Sequence, residues 1–228
     1  MRYFIMSESL DKKIIGCNFP QVHRFTQGYD PEASNGLFSL YKYREDFPDY
    51  IPNLDGFMIS SCTKLTDFIS SSFSHRLRIM NERAKTILEQ HHLGSYRFYP
   101  LVLYKGKVKY DYYLFNFIST YSDFVNYEKT SFQEYNIASG EKSEVFFVKS
   151  RADFLHKKSV IEHEKGISWG IWGSEIVMSK GFDQKLDFFV ISLLDANIYV
   201  SERLKNSIES NGLTGWEFIP AMNLKIEE

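Results

Sequence analysis

The chain has 228 residues, of which 43% are hydrophobic and 25% charged, and its formal net charge at pH 7 is −2. This composition is typical of a globular protein and argues against intrinsic disorder. Nucleic-acid-binding proteins usually carry a basic excess, because phosphate contacts supply most of their affinity. We therefore predict no nucleic-acid partner, and we interpret the most basic stretch, His75–Arg83, as a solvated helix face.

The cysteine content and the lengths of the apolar runs indicate the cellular compartment in which the protein is found. Cys17 and Cys62 are too few for a disulfide framework or a cysteine zinc site, and we interpret both as reduced thiols in a cytosolic protein. The N-terminal sequence MRYFIMSESLDKK has too short an apolar stretch for a signal peptide. Runs such as Phe188–Leu194 are far shorter than the roughly 20 residues of a spanning helix. The sequence predicts a cytoplasmic protein without a membrane partner.

The first half of the chain alternates predicted strands with irregular segments. Strands are predicted at Tyr3–Met6 and Phe57–Ile59, separated by a long loop at Phe25–Pro52 that its own aromatic rings anchor. Leu65, Phe68 and Ile69 lie at helical spacing and predict a short helix. A second helix of roughly five turns is predicted from steps of three and four between apolar residues. These residues are Phe73, Leu77, Met80, Ala84, Ile87 and His91.

The second half begins with a predicted hairpin. Its arms are Tyr96–Tyr104 and Val108–Ile118, and Gly106 allows the tight turn between them. The second arm is apolar on both faces, which is typical of a central strand. Further strands are predicted at Val145–Val148, Ile171–Met178 and Phe188–Leu193. A short helix is predicted at Ser201–Ser210, with Ser201 as its N-cap.

One phrase occurs twice, as LGSYRFYP at Leu93–Pro100 and as LTGWEFIP at Leu213–Pro220, which start 213 − 93 = 120 residues apart. DGFMISS at Asp55–Ser61 and DANIYVS at Asp195–Ser201 extend the similarity upstream. Two related strand–helix–strand subdomains and a chance similarity both stay open. We predict an α+β fold with mostly antiparallel sheet and a few helices. A soft point at 140–143 predicts subdomains 1–140 and 141–228, with a single domain as the alternative.

A search for catalytic chemistry gives no persuasive set. No two of the six histidines have the i, i+4 spacing of a helical zinc site, and we predict neither a metal nor a cofactor. The stretch Lys157–Lys165, with Glu162 inside it, is interpreted as a solvated turn. GISWGIWG, Gly166–Gly173, lacks the Lys-Ser/Thr pair of a phosphate loop. It does contain Trp169 and Trp172, either as binding anchors in a glycine-punctuated loop or as a pair of strand-end rings folded onto the core.

Two stretches carry a family resemblance. Val108–Phe132 contains a Tyr-x-Leu-x-Asn pattern at Tyr112, Leu114 and Asn116, and IYVSERLKNSIESNGLTGWEFIP ends the chain's last predicted unit. Together they resemble the bacterial immunity proteins of polymorphic toxin systems, in particular immunity family eleven. The resemblance extends from about Asp55 to Pro220.

This resemblance implies a non-enzymatic cytoplasmic protein that binds and silences a cognate toxin protein. Exposed aromatic loops make Trp169, Trp172, Tyr41 and Tyr43 the candidate partner-binding residues. Two alternatives stay open. One is a small enzyme with a site around His91, His156 or Glu162, and the other is a scaffold or adaptor protein. The sequence predicts no oligomeric state.

Overall fold

The computed structural model describes residues 2–43, 45–73, 76–118 and 121–227, so His75 lies outside the described residues. The solvated helix face predicted for His75–Arg83 is wrong over Leu77–Met80, which is a strand. The helices are α1 Lys12–Ile15, α2 Glu82–Glu89, α3 Arg151–Lys165 and α4 Glu202–Ser210, with 3-10 turns at Leu37–Lys42 and Tyr121–Phe124. Among these residues, no helix has the length and apolar character needed to cross a bilayer.

Most of the secondary structure is strand. The strands are β1 Tyr3–Glu8, β2 Val22–Phe25, β3 Asp55–Ile59, β4 Phe68–Ile69, β5 Leu77–Met80, β6 Tyr96–Lys105, β7 Val108–Phe117, β8 Ser131–Asn136, β9 Trp169–Met178, β10 Phe188–Val190, β11 Ile198–Ser201, β12 Trp216–Pro220 and β13 Leu224–Ile226. They form sheets with the orders β2-β3-β6-β7-β5-β4, β10-β11-β1-β12 and β13-β9-β8. Antiparallel pairs dominate, with parallel pairing of β3 to β6 and of β13 to β9. The predicted α+β class with mostly antiparallel sheet agrees with this architecture.

The contacts divide the chain into two units. Unit 1 comprises Met1–Ser119, Leu186–Phe189 and Tyr199–Ile219, and unit 2 comprises Thr120–Lys185, Val190–Ile198 and Pro220–Glu228. The boundary predicted at residue 140 falls in a turn within unit 2. The division into folding subdomains 1–140 and 141–228 stays a prediction.

One core cluster of unit 1 lies on one face of the six-stranded sheet. Alternate residues of β6, such as Leu101 and Leu103, are buried there against Leu37 and Leu40 of the preceding 3-10 turn. The long segment predicted at Phe25–Pro52 therefore covers the sheet, and its aromatic residues Phe25, Tyr29, Phe38 and Tyr41 pack against the same core.

The core of unit 2 forms where α3 packs on β8 and β9. Phe154 of α3 is fully buried, with its ring centroid 5.2 Å from that of Phe132 and 5.6 Å from that of Tyr127. The solvated turn predicted at Lys157–Lys165 is wrong, because these residues belong to α3. Ser150 caps α3 by accepting a hydrogen bond from the backbone N of Asp153 at 3.1 Å, and only Phe154 and Ile161 are buried, so the helix has almost no apolar stripe.

The hairpin and the last helix are confirmed. β6 and β7 pair in antiparallel register from Tyr96↔Phe117 to Lys105↔Val108, and Gly106 has a φ of 63°. β7 lies between β6 and β5, as expected for a central strand. Ser201 caps α4 through a 3.1 Å hydrogen bond from the backbone N of Leu204. These features depend on residues close together in sequence, which is why the pattern predicts them.

The long helix predicted over Phe73–His91 is wrong in its first half. Leu77–Met80 is strand β5 and pairs with β7, while α2 begins only at Glu82, after the N-cap Asn81. The short helix predicted just before it is also wrong, since Phe68–Ile69 is strand β4. Leu77 and Ile79 are both buried on the sheet. Their two-residue spacing suits a strand, and the pairing with β7 prevails over the helical spacing of the longer pattern.

The two cysteines are joined, so the prediction that both are reduced is wrong. Cys17 and Cys62 form a disulfide with their Cα atoms 5.6 Å apart. Backbone pairing of Gly16 with Thr63 brings the two segments together. Two cysteines separated by 45 residues give no sequence signal for such proximity.

Candidate partner-binding surfaces

Trp169 and Trp172 both lie on strand β9, which begins two residues before the predicted strand Ile171–Met178, so the alternative of a glycine-punctuated loop is wrong. The register with β8 runs without interruption from Asn136↔Trp169 to Gln133↔Trp172. Since successive strand residues point to opposite faces, two residues three apart cannot share a face. The two tryptophans therefore contribute to different surfaces of unit 2.

Trp169 lies on the face of the sheet that α3 covers. The Nζ atom of Lys165, at the end of α3, is 4.6 Å from the centroid of the Trp169 ring and 2.6 Å from Oε2 of Glu134. An ammonium group at this distance from an indole is held by a cation–π interaction. This half-buried ring is already engaged within the chain, and it has less free surface to offer a partner.

Trp172 lies on the opposite, open face, beside Tyr135. The two ring centroids are 5.9 Å apart, and both side chains are partly exposed. Gly170 lies directly opposite Tyr135 in the register and two residues from Trp172, so it shares their face. A Cβ atom at Gly170 would have nothing within 4 Å. The missing side chain leaves a gap beside the two rings, and we call Tyr135, Gly170 and Trp172 the aromatic notch.

Tyr41 and Tyr43 belong to unit 1, at the end of the 3-10 turn. The Tyr41 ring stacks on Phe38 at 5.4 Å between centroids, and burial raises the pKa of the Tyr41 hydroxyl, with the charge of Arg76 opposing the shift. Arg76 also donates a hydrogen bond to the Tyr43 carbonyl at 3.2 Å. A hollow of about 340 Å³ lies beside Tyr41 and is lined by Glu32, Phe38, Ser39, Tyr41 and Lys42.

Sequence reasoning missed the aromatic notch and an apolar tip in unit 2. Ile167 is 99% exposed and Ile137 is 75% exposed. The backbone N of Ile137 donates to the carbonyl of Ser168 at 2.9 Å, which places the two isoleucines near each other. The notch depends on the register of β8 against β9, and the residue patterns of the two strands do not reveal that register.

The residues proposed for an enzyme site have structural roles or lie in solvent. His91 contacts the Ile87 carbonyl at 2.8 Å and the Ser207 hydroxyl at 3.1 Å, and so links α2 to α4. His156 is exposed on α3, where Glu162 pairs with Lys158 one turn away. Among the described residues, no group of three or more His, Cys, Asp or Glu side chains could hold a metal ion.

Comparison with known families assigns the chain to a family. Residues 46–223 match the family model described as the immunity protein family Imm11. The chain belongs to the Imm11 immunity protein family. The resemblance noted between Asp55 and Pro220 is thereby confirmed. A search of curated proteins finds no match.

Some of the candidate residues lie within the Imm11 match and others precede it. The aromatic notch lies within the matched residues, as does Trp169, whereas Tyr41 and Tyr43 precede them. Cys62 lies within the match and Cys17 before it. The notch therefore belongs to the part of the chain that the Imm11 family shares.

Proposed function

We propose that this protein is a non-enzymatic immunity protein that binds and neutralises a cognate toxin domain of a polymorphic toxin system. The observation that carries the proposal is the Imm11 match over residues 46–223, most of the chain. An inhibitor of this kind works by occupying a surface of its partner, so it requires a binding surface and no catalytic set.

The aromatic notch supports a binding role. Trp and Tyr are enriched among the residues that dominate binding energy, because they bury a large area with little loss of side-chain freedom. Trp172 and Tyr135 lie on paired strands, which hold them rigidly, and the gap at Gly170 offers space for a partner side chain. Trp172 is therefore the leading toxin contact among the four predicted residues. Trp169, Tyr41 and Tyr43 stay proposed contacts.

We also propose that the protein works in the cytoplasm, where a toxin entering the cell or made there would meet it. Fractionation of cells that carry the tagged protein tests this location, and recovery outside the cytoplasmic fraction would contradict it.

A related proposal concerns the repeated phrase. The offset of 120 also relates the N-caps of α2 and α4, since 201 − 81 = 120. Asn81 accepts from the backbone N of Ala84 at 3.0 Å, as Ser201 does from Leu204. We propose that β5-α2-β6 and β11-α4-β12 are related units, with β5 rather than β3 as the first strand. A superposition of the two units in a crystal structure tests this proposal.

The function is tested by growth. The gene adjacent to this one is expressed under tight control in cells with and without the protein. We expect the neighbouring product to arrest growth and this protein to restore it and co-purify with it. A toxic neighbour that this protein neither binds nor counteracts would contradict the proposal.

Two variants locate the interface in the same assay. Trp172→Ala should lose rescue, and Phe147→Ala should keep it, because Phe147 is an exposed aromatic residue of unit 2 outside the notch. Circular dichroism confirms that both variants fold. Full rescue by a folded Trp172→Ala would remove the notch from the interface.

A further inference from the structure

The face of the six-stranded sheet opposite Leu101 and Leu103 carries a groove that none of the predicted contacts uses. One cross-strand row places Asp55 on β3, Val102 on β6 and Asp111 on β7 side by side. At the usual spacing of neighbouring strands, the two aspartates lie about 10 Å apart with Val102 between them. The next row on the same face pairs Pro100 with Tyr113.

The groove follows these rows and has a volume of about 390 Å³. Its lining includes the apolar side chains of Pro100, Val102, Tyr113 and Ile51, and Ile51 is 74% exposed. Pro100 and Ile51 are exposed and Val102 and Tyr113 are half-buried, so these side chains give the groove an apolar floor.

The two carboxylates in the groove differ in their hydrogen bonds and ion pairs. Asp55 accepts a hydrogen bond from the Tyr104 hydroxyl at 2.5 Å and lies 3.6 Å from Nζ of Lys109. Asp111 is exposed and has no hydrogen bond or ion pair with any described residue. The Lys85 ammonium near Tyr113 is paired with Glu82 at 3.2 Å and Glu89 at 3.3 Å. The groove therefore combines an apolar floor with one unneutralised negative charge.

We infer that this groove binds an arginine side chain presented by an apolar segment of the partner toxin, an inference that rests on the proposed function. The aliphatic part of arginine would cover Val102 and Pro100, and its guanidinium group would pair with the carboxylate of Asp111. Arginine suits this site better than lysine, because its planar, weakly hydrated head pairs with a carboxylate through two parallel hydrogen bonds and stacks on aromatic rings. An anionic segment would meet uncompensated charge at Asp111.

A peptide titration tests the groove without any toxin. The probe is acetyl-Leu-Arg-Leu-amide, added to the full-length ¹⁵N-labelled protein, and the control probe carries citrulline, a neutral analogue of the same shape. We expect saturable chemical-shift changes at the amides of Val102, Asp111 and Tyr113, and about two- to fivefold weaker binding of the citrulline peptide, the range that one exposed ion pair supplies. Equal binding of the two peptides, or shift changes confined to other residues, would overturn the inference.

Two variants refine the titration. Asp111→Asn should weaken binding of the arginine peptide to the level of the citrulline peptide, whereas Glu128→Gln should leave it unchanged. Glu128 is an exposed carboxylate of unit 2 and does not line the groove. Unchanged binding by Asp111→Asn would contradict the role of its carboxylate.

The growth assay then connects the groove to the toxin. Asp111→Arg should lose rescue in cells that the wild-type protein protects. Full rescue by Asp111→Arg would show that the toxin does not use the groove, while the proposed function would stand. If the wild-type protein fails to counteract a toxic neighbour, the proposed function fails instead, and the inference that the toxin occupies the groove fails with it.

Discussion

Asp187 and Arg203 form an ion pair in which only the cation reaches solvent. Nη2 of Arg203 lies 2.6 Å from Oδ2 of Asp187, and the exposed fractions of the two side chains are 55% and 0%. The carboxylate also accepts hydrogen bonds from the hydroxyl of Ser201 and from the backbone N of His92, the latter at 2.9 Å. It thereby ties the start of α4 to the segment after α2.

Asp187→Asn should destabilise the fold by about 2 kcal/mol, because a buried charged acceptor loses its charge-assisted hydrogen bonds. Urea unfolding at pH 7 measures the loss. Asp111→Asn is the matched control and should unfold like the wild type, since its carboxylate is exposed and pairs with no residue that the structure describes.

Lowering the pH should remove the stability that the ionised Asp187 carboxylate contributes. Burial by itself would raise the pKa of Asp187, but the hydrogen bonds from Arg203, Ser201 and His92 hold that pKa below its usual value. A lowered folded-state pKa stabilises the fold above the unfolded-state value of about 3.9. This stability is lost as the pH falls through the folded-state pKa. The difference between wild type and Asp187→Asn should therefore shrink in acid, and a constant difference would contradict this account.

Reduction of the disulfide should lower stability. Closing a loop between residues 45 apart restricts the unfolded chain, which the chain-entropy estimate values at about 4 kcal/mol. We expect a lower midpoint of thermal unfolding with dithiothreitol, and the same midpoint for Cys17→Ser with or without it. Sensitivity of Cys17→Ser to the reductant would assign the effect to something else.

The glycines of β9 should respond differently to alanine. At Gly173 a Cβ atom would come within 2.8 Å of Cγ1 of the buried Ile176, so Gly173→Ala should cost about 1–3 kcal/mol. Gly170→Ala meets open space and should be neutral or slightly stabilising. Urea unfolding compares the two variants. Equal destabilisation would mean that the face beside Trp172 is covered.

Trp216 should be among the most costly residues to truncate. Its ring stacks on Phe68 with 3.4 Å between centroids and 9° between planes, and it is 8% exposed. Trp216→Ala should cost about 3–5 kcal/mol, and Trp216→Phe should recover a large part of that loss. Thermal unfolding of both variants checks the expected order.

The success of prediction from sequence depended on how local each feature is. The β6–β7 hairpin and the Ser201 cap involve neighbours in sequence, and both are confirmed. The stretch from Phe73 to Met80 carries helical spacing, yet pairing with β7 makes its second half a strand, and that pairing joins residues more than 30 positions apart. α3 escaped prediction because most of its surface is polar and exposed.

The candidate surfaces were less predictable than the fold. The tryptophans of β9 were singled out for their residue type, but the register alone shows that they face opposite ways. The proposed role of Asp111 had no sequence signal, because it rests on a row of three paired strands and on the lack of a hydrogen bond or ion pair with the described residues.

The order in which the chain visits its two units bears on how the protein is made. Unit 1 needs Tyr199–Ile219 for β11, α4 and β12, and these residues follow the bulk of unit 2 in sequence. A ribosome therefore releases most of the chain before either unit has all of its strands. Neither unit can be removed as one uninterrupted fragment, and a nascent chain stalled at residue 190 would lack the strands that complete unit 1.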